Sequence, residues 1–290
     1  MKLGVAGLLP AWPEINLAAC RRVRAAGFCG AQWFFPRPLE VEWKEVRRVQ
    51  SAFAEAGLEI CQVNGAYEAL VNPNEALRAL GVQELSALVR LGGFLKTPSV
   101  YVRPGGMNPR GHWWPHPDNH TSATFDRLVD SLKQVCRIAE VDGVTLAIEG
   151  HVLSPLDSAR RVRDLLDAVA SPALKFNVDP VNFIGSVADA HDTRRVLNEL
   201  FDFLGTDTVV AHAKDVGLGE TLVLHIDEVP LGTGNLDYAL FLRRFEQACP
   251  TGYILIEHLP DEEIPLARVA LLTAAKHAGI KIINTAEQAA

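Results

Sequence analysis

The chain has 290 residues and a formal net charge of −7, and 48% of its residues are hydrophobic while 22% are charged. This composition is typical of a single globular domain and excludes a disordered chain, and the acidic balance argues against nucleic acid as a partner, because phosphate binding needs clustered Lys and Arg. The scattered cysteines indicate no disulfide framework, and with neither a signal-peptide pattern nor a membrane-length apolar segment we expect a cytoplasmic protein without a membrane partner.

Strand-like and helix-like segments alternate along the whole chain. The predicted strands are residues 3–7, 29–35, 58–63, 98–103, 144–149, 174–179, 207–214 and 253–257. The predicted helices lie near residues 14–26, 40–56, 73–92, 122–141, 157–169, 187–203, 236–248 and 261–278. Eight such strand–helix units favour a closed α/β barrel, the (β/α)₈ TIM barrel, with residues 1–290 as one domain. An open doubly wound sheet is the alternative, but no glycine-rich phosphate loop follows the first strand.

The connection after the fourth predicted strand, residues 104–121, is the most distinctive stretch of the chain. Trp113 and Trp114 offer flat faces to sugar C–H groups, and His116 offers a hydrogen-bond donor. Because barrel enzymes build their sites from loops at this end of the strands, we expect the connection to bind substrate and to cover the barrel mouth as a lid. The alternatives are an aromatic loop that packs on a partner subunit and a second zinc site formed by the loop histidines.

The connection after the seventh predicted strand, residues 216–234, is also long and ends in Gly232-Thr233-Gly234. The backbone N–H groups of these glycines could hold a phosphate, but a tight turn before the next helix is the simpler interpretation. His225, Asp227 and Glu228 in the same connection either fold toward the site or lie in solvent.

Four polar side chains end the last four predicted strands: Glu149, Asp179, His212 and Glu257. Side chains alternate between the two faces of a strand, so the apolar residues of each strand share one face and the terminal polar residue lies on the other. If the apolar faces pack under the helices, all four polar side chains point into the mouth of the barrel.

Three carboxylates and an imidazole that converge on one point repel one another unless a cation lies between them. Each of these residues alone could be a helix cap or a solvated loop residue, but four in register on successive strands are hard to explain in that way. We therefore predict one divalent metal ion held by Glu149, Asp179, His212 and Glu257. Oxygen-rich ligation with one nitrogen favours Mn²⁺, with Mg²⁺, Co²⁺ or Zn²⁺ as alternatives.

Several segments around these residues carry a family resemblance. They are GFCGAQ (27–32), LAIEGH (146–151), FNVDPVN (176–182), AHAKD (211–215), PLGTGNLDY (230–238) and ILIEH (254–258). Together they resemble the xylose isomerase-like superfamily of sugar-phosphate isomerases and epimerases, over nearly the whole chain. The resemblance implies a metal-dependent barrel that acts on a sugar, keto-sugar or related polyol, with the four polar residues as the metal ligands. It also makes a homo-oligomer an expectation.

The resemblance implies chemistry at a carbon next to a carbonyl. Glu149 and Glu257 match the glutamates that exchange protons in ketose epimerases, so we expect them to be the catalytic acid and base of an isomerase or epimerase acting through an enediolate. With a leaving group β to the carbonyl, the site would instead act as a lyase, either an inosose-type dehydratase or a 3-keto-glycoside eliminase. Pro155, Asn182 and Leu218 depart from the ketose-epimerase pattern and argue against simple ketose 3-epimerisation. A sugar-binding barrel without turnover is the non-catalytic alternative.

Further candidate substrate-binding residues lie near the predicted ligands: His151, Asn182, Lys214 and Arg103. By strand alternation, His151 shares the side of Glu149 and Lys214 shares the side of His212. Arg103, at the end of the fourth strand, could hold an acidic group of a substrate. The structural alternatives are a capping role for the histidine and the asparagine, an ion pair of Lys214 with Asp215 or Glu257, and a buried pair of Arg103 with a barrel carboxylate.

Overall fold

The computed structural model describes residues 1–283, whose parallel strands close into a barrel surrounded by helices. The strands are β1 (Lys2–Val5), β2 (Gly30–Phe35), β3 (Glu59–Gly65), β4 (Val100–Val102), β5 (Leu146–Ile148), β6 (Leu174–Val178), β7 (Thr208–Ala213), β8 (Asp215–Leu218), β9 (Ile226–Val229) and β10 (Tyr253–Ile256). The helices are α1 (Leu17–Ala25), α2 (Trp43–Ala56), α3 (Glu75–Leu95), α4 (Ser122–Asp142), α5 (Ala159–Val169), α6 (Val187–His191), α7 (Thr193–Leu204), α8 (Tyr238–Ala248) and α9 (Ile264–Ala278). Around the closed barrel the strand order is β1, β10, β7, β6, β5, β4, β3, β2.

The predicted TIM barrel is confirmed, and each barrel strand overlaps its predicted span. Alternation divides the strand residues as expected. Leu146 and Ile148 of β5 belong to the main hydrophobic core, which lies between the barrel and the helices. Ala147, between them, belongs to a separate apolar cluster with Val210 and Leu255 inside the barrel. Glu149 follows on the side of Ala147, so the backbone geometry of β5 directs it inward.

A β-bulge in β3 changes which side chains reach the barrel interior. In the register with β2, Ala31 pairs with Ile60 and Gln32 pairs with Gln62, so Cys61 has no partner. A bulge of this kind redirects the side chains on either side of it. Cys61 therefore packs in the inner apolar cluster, while the next residue, Gln62, also turns inward and is fully buried.

Two segments differ from the prediction. The connection after β7, to which the sequence assigned no secondary structure, contains the antiparallel hairpin of β8 and β9. β9 lacks the apolar alternation that marks the barrel strands, and β8, in which Val216 and Leu218 do alternate with Asp215 and Gly217, is only four residues long. The single helix predicted at 187–203 is two helices, α6 and α7, because the backbone at Asp192 is not helical and its side chain caps α7 by accepting from the Arg195 N–H.

The remaining expectations about the chain concern membranes and cysteines. Within residues 1–283, no helix combines the length and the apolar content needed to cross a membrane. All five cysteines are free thiols, and Cys20, Cys29, Cys61 and Cys136 are buried. Burial raises the pKa of the Cys20 and Cys136 thiols to about 11, so neither is a reactive thiolate near neutral pH.

Candidate metal centre

Glu149, Asp179, His212 and Glu257, the quartet, meet at the carboxyl ends of the barrel strands. One ligand atom from each side chain lies within 4.8 Å of those of the other three, and none of the four residues is more than 7% exposed. Ligands about 2.0–2.4 Å from one ion and on opposite sides of it are separated by about this distance. The spacing of the quartet therefore suits a single metal ion.

Buried atoms of the quartet that could bind a metal have no hydrogen-bond partner among the residues that the structure describes. Nδ1 of His212 lies 3.0 Å from an oxygen of Glu149 and 3.0 Å from an oxygen of Glu257, but within residues 1–283 it makes no hydrogen bond. Oδ1 of Asp179 also lacks a hydrogen-bond partner in this part of the chain. Buried polar atoms without partners cost free energy, and one cation between them would satisfy both. The residues present therefore fit a divalent ion.

The field of the three carboxylates favours positive charge at their centre. Burial opposes a charge on His212, but Glu257 and Glu149 overcome burial and raise its pKa to about 10. Burial raises the pKa of Asp179 to about 6, although Lys214 acts in the opposite direction. The negative charge of the carboxylates that holds a proton on His212 would also attract a divalent ion. Binding of that ion would displace the proton.

Lys214 is a buried cation beside the quartet. Its Nζ lies 2.6 Å from Oδ2 of Asp179 and 2.8 Å from Oε1 of Glu257, so the ion pair foreseen between Lys214 and Glu257 is present. The same Nζ lies 3.5 Å from Oδ1 of Asn182, which places both candidate substrate-binding residues at the quartet. One ammonium group against three carboxylates leaves a charge of −2, which a single divalent ion neutralises.

The two glutamates of the quartet use their oxygens differently. Glu149 accepts a hydrogen bond from the Tyr101 hydroxyl at Oε2 (2.5 Å) and another from the Asn177 amide at Oε1 (3.0 Å). Glu257 meets both His212 and Lys214 through Oε1, whereas Oε2 forms no hydrogen bond or ion pair within residues 1–283. Burial would raise the pKa of Glu257, but His212 and Lys214 hold it well below its usual range. Glu257 is therefore an ionised carboxylate.

Three polar residues that were not predicted from the sequence contact the quartet: Tyr101, Asn177 and Gln62. Tyr101 and Asn177 occupy inward positions of β4 and β6, and a polar side chain at an inward position of a buried strand is the pattern that could have identified them. Gln62 lies directly after the bulge in β3, where simple alternation does not apply.

His151 and Trp113 lie together beside the quartet, with their ring centroids 5.5 Å apart. Nδ1 of His151 accepts a hydrogen bond from the Leu153 N–H, which leaves Nε2–H as a donor. Burial lowers the pKa of His151 to about 4, so the ring is neutral. Through this contact the 104–121 connection reaches His151, which lies two residues after Glu149.

Trp113→Ala is expected to raise KM by about tenfold with a smaller effect on kcat, because an aromatic face contributes about 1.4 kcal/mol to binding. Trp114→Ala is the matched control, since Trp114 is 42% exposed and stacks on the Arg110 guanidinium, 3.5 Å from its ring centroid. The KM and kcat of both variants are measured by steady-state kinetics with the same sugar. Equal changes in KM in the two variants would contradict the assignment.

The remaining candidates in this region contact other parts of the protein. Nδ1 of His116 accepts from the Asp118 N–H and caps a short 3₁₀ helix, Pro117–His120. The Arg103 guanidinium donates to Oδ1 of Asn64 (3.0 Å) and to the Gly65 carbonyl (2.5 Å), and these partners are amide oxygens rather than a carboxylate. In the described part of the chain the loop histidines form no group suited to a metal, so the structure offers no support for a second zinc site.

The Gly232-Thr233-Gly234 turn is bound by a carboxylate of the protein itself. Oδ2 of Asp215 accepts from the N–H groups of Gly232 (2.9 Å) and Gly234 (3.0 Å). Oδ1 of Asp215 accepts from Val216 (2.9 Å) and Leu236 (3.1 Å). A Cβ at Gly234 would lie 2.3 Å from Oδ1 of Asp215, which is why glycine is needed there. The N–H groups are therefore occupied, and the tight turn is confirmed in place of a phosphate site.

Comparison with solved structures gives matches to the whole barrel. A D-tagatose 3-epimerase-like protein matches with a TM-score of 0.76 and 17% identity, with 100% of each chain covered. A 3-keto-D-glucoside 4-epimerase from E. coli matches with a TM-score of 0.69 and 15% identity, over 95% of this chain and 98% of that one. A xylose isomerase-like TIM barrel protein from Mycobacterium smegmatis, in complex with magnesium, matches with a TM-score of 0.71 and 15% identity, over 90% of this chain and 88% of that one. At such identities these likenesses establish the fold alone.

Sequence comparison gives a more specific result. No curated protein sequence matches the chain. A family model described as the xylose isomerase-like TIM barrel matches residues 20–276, a span that includes the whole quartet. The chain therefore belongs to the xylose isomerase-like TIM barrel family.

Proposed function

We propose that the protein is a divalent-metal-dependent isomerase or epimerase of a sugar, keto-sugar or related polyol. The observation that carries the proposal is the buried quartet of Glu149, Asp179, His212 and Glu257, with its ligand atoms within 4.8 Å of one another. Family membership, the epimerase names of structural relatives and the magnesium bound by another relative support it. The donor set favours Mn²⁺, with Mg²⁺, Co²⁺ or Zn²⁺ as alternatives.

The quartet would hold a divalent ion, and that ion would supply Lewis-acid polarisation of a substrate carbonyl with a neighbouring hydroxyl. Glu257, with Oε2 free, removes the proton from the adjacent carbon to give an enediolate. Glu149 approaches from another side, because β6 and β7 separate β5 from β10 in the barrel. A proton returned to the neighbouring carbon gives an isomer, and one returned to the opposite face of the same carbon gives an epimer.

Tyr101 keeps Glu149 in place for this proton transfer. Burial and the charge of Glu149 raise the pKa of Tyr101 well above its usual value, so its hydroxyl stays protonated and donates to Glu149.

A cavity of about 360 Å³ opens beyond β1 and β2 with Leu9, Trp12 and Phe34 among its lining residues. Apolar and aromatic walls of this kind suit the C–H face of a sugar.

A metal-dependent lyase is the second candidate. The observation that favours it is the Lys214 ammonium group, which lies 2.8 Å from Oε1 of Glu257 and could give a proton to a departing hydroxyl or glycosyl oxygen. Proton removal by Glu257 followed by loss of that group would yield an enone or diketone, with water or an alcohol as the second product. Neither reaction requires a change in the quartet.

Proton NMR in D₂O distinguishes the two reactions and tests the metal. With Mn²⁺ added and then removed before the spectra are recorded, ketoses, keto-glycosides and inososes are incubated with the protein and the C–H signals next to the carbonyl are followed. We expect deuterium incorporation into at least one substrate without loss of water. Treatment with EDTA should abolish the exchange and Mn²⁺ should restore it, because the carboxylates cannot polarise the carbonyl by themselves.

The outcomes separate the hypotheses clearly. An enone or diketone product would assign the lyase reaction instead. Exchange that persists unchanged after complete metal removal would refute metal dependence. No exchange of any C–H in a protein that binds both metal and sugar would leave the non-catalytic sugar-binding barrel.

A further inference from the structure

We propose that a chain of hydrogen-bonded side chains beneath the quartet fixes the tautomer of His212, with Gln62 as its positioning residue. This amide chain consists of Arg103, Asn64, Gln32, Gln62 and Asn177, in that order. One end is a guanidinium group, which can only donate hydrogen bonds, and the other end meets the carboxylate of Glu149, which only accepts them. The proposal rests on the metal site of the proposed function and not on the reaction.

The first part of the amide chain sets the orientation of the Gln62 amide. Oδ1 of Asn64 accepts from Nη1 of Arg103 (3.0 Å) and from the N–H of Gly65 (2.7 Å), and both of these groups are obligate donors. Nδ2 of Asn64 is therefore the atom that donates to Oε1 of Gln32, at 3.0 Å. Nε2 of Gln32 in turn donates to Oε1 of Gln62, at 2.7 Å.

The second part of the amide chain gives the same orientation independently. Oε1 of Glu149 accepts from Nδ2 of Asn177 at 3.0 Å, so Oδ1 of Asn177 faces the other way. That oxygen accepts from Nε2 of Gln62, at 3.2 Å. The oxygen and nitrogen of an amide are similar in shape and can be interchanged, but an obligate donor at one end and an obligate acceptor at the other allow a single assignment.

The orientation of Gln62 decides which nitrogen of His212 carries the proton. Oε1 of Gln62 lies 3.3 Å from Nε2 of His212, and an amide oxygen has no proton to give, so Nε2 must be the donor. In the neutral ring the lone pair is then on Nδ1. Nδ1 is the atom that lies 3.0 Å from both Glu149 and Glu257. Gln62 thus presents the correct nitrogen of His212 to the metal.

Water cannot take over this role, because Gln62 and Asn177 are fully buried. The hydrogen bonds also join two ligands of the quartet, since Gln62 touches His212 directly and Glu149 through Asn177. Groups that orient a metal-bound histidine in this way affect metal affinity without touching the metal. The same arrangement gives Arg103 a structural task as the start of the amide chain, and the substrate contact expected from the sequence stays a prediction.

The tautomer can be read directly by NMR. Protein labelled with ¹⁵N-histidine is loaded with diamagnetic Zn²⁺, and long-range proton–nitrogen correlation spectra are recorded, with His212→Gln used to identify its signals among the nine histidines. We expect His212 to be protonated at Nε2 and bound to Zn²⁺ through Nδ1. Protonation at Nδ1 with Zn²⁺ on Nε2 would overturn the inference. A wild-type protein that binds none of Zn²⁺, Mn²⁺ and Mg²⁺ would instead overturn the metal site of the proposed function.

Metal affinity, measured by calorimetry with Zn²⁺, tests the part played by Gln62. Gln62→Leu removes the acceptor opposite Nε2 and should weaken binding by about 10–100-fold. Gln62→Glu keeps an acceptor opposite Nε2 but loses the donor to Asn177, so it should weaken binding clearly less than Gln62→Leu does. Ser131→Ala is the matched control, because its buried hydroxyl donates to the Leu70 carbonyl (2.7 Å) and makes no hydrogen bond to the amide chain or to the quartet.

The affinities of these variants test the positioning role of Gln62, provided that each variant folds. Unchanged affinity in Gln62→Leu, or equal weakening in Gln62→Leu and Gln62→Glu, would overturn the positioning role. Thermal unfolding of each variant identifies one that does not fold. In that case Gln62→Glu and the wild-type NMR spectrum still give the answer.

Discussion

Glu257→Gln and Glu149→Gln are each expected to lower the rate of C–H exchange in the substrate by about 10²–10⁴-fold, the usual contribution of a positioned acid or base. A glutamine amide cannot take up a proton, and it replaces an anionic ligand of the quartet with a neutral one. The loss should be large in both variants because the two carboxylates reach the substrate from different strands of the barrel. Exchange rates in D₂O under saturating Mn²⁺ provide the measurement.

Metal content has to be determined in the same samples. A glutamine variant that holds Mn²⁺ but does not exchange protons has lost its acid or base, whereas one that holds no Mn²⁺ has lost the site. Asp237→Asn is the matched control: Asp237 caps α8 by accepting from the Leu240 N–H (2.9 Å), and asparagine caps a helix equally well. Near-normal exchange in both glutamine variants would exclude the catalytic roles proposed for Glu149 and Glu257.

Asp215→Ala should produce the largest loss of stability, lowering the free energy of unfolding by about 3–5 kcal/mol. The Asp215 carboxylate is 1% exposed and accepts from the N–H groups of Val216, Gly232, Gly234 and Leu236. An alanine leaves these donors without an acceptor, and two of the donor residues, Val216 and Leu236, are buried away from water. Urea unfolding followed by circular dichroism measures the change.

The neighbouring Asp237→Asn variant serves as the control for stability as well. Its ion pair with Arg194 is on the surface, where the Arg194 side chain is 64% exposed, and such pairs contribute little. We expect its unfolding free energy to change by less than about 1 kcal/mol. An Asp215→Ala protein with the wild-type unfolding midpoint would show that solvent replaces the lost acceptor and that the turn does not depend on Asp215.

The strands and the convergence of the quartet could be predicted because both depend on local backbone geometry. In β5, Leu146 and Ile148 face the helices and Ala147 faces inward, so the direction of Glu149 follows from its position in the sequence. The same counting directs Glu257 after β10. A closed barrel then brings such residues together, since the carboxyl ends of all its strands lie on one face.

Other features depended on partners distant in the chain. Gln62 and His212 are separated by 150 residues, and no local pattern predicts that their side chains meet. The position of Lys214 between Asp179 and Glu257 depends likewise on barrel closure. The capture of the Gly232-Thr233-Gly234 turn by Asp215 could not be distinguished from a phosphate-binding turn, because both use the same backbone N–H groups.

By itself, the sequence determined the barrel, its alternation and the four side chains that end successive strands, because the period of an extended strand is a property of the backbone. Only the tertiary structure decided how those side chains are oriented: which nitrogen of His212 faces the carboxylates, which oxygen of Glu257 remains open, and what Arg103 binds. The reason is physical. Hydrogen-bond direction depends on the partners at both ends, and closure of the barrel, together with the bulge in β3, chooses those partners.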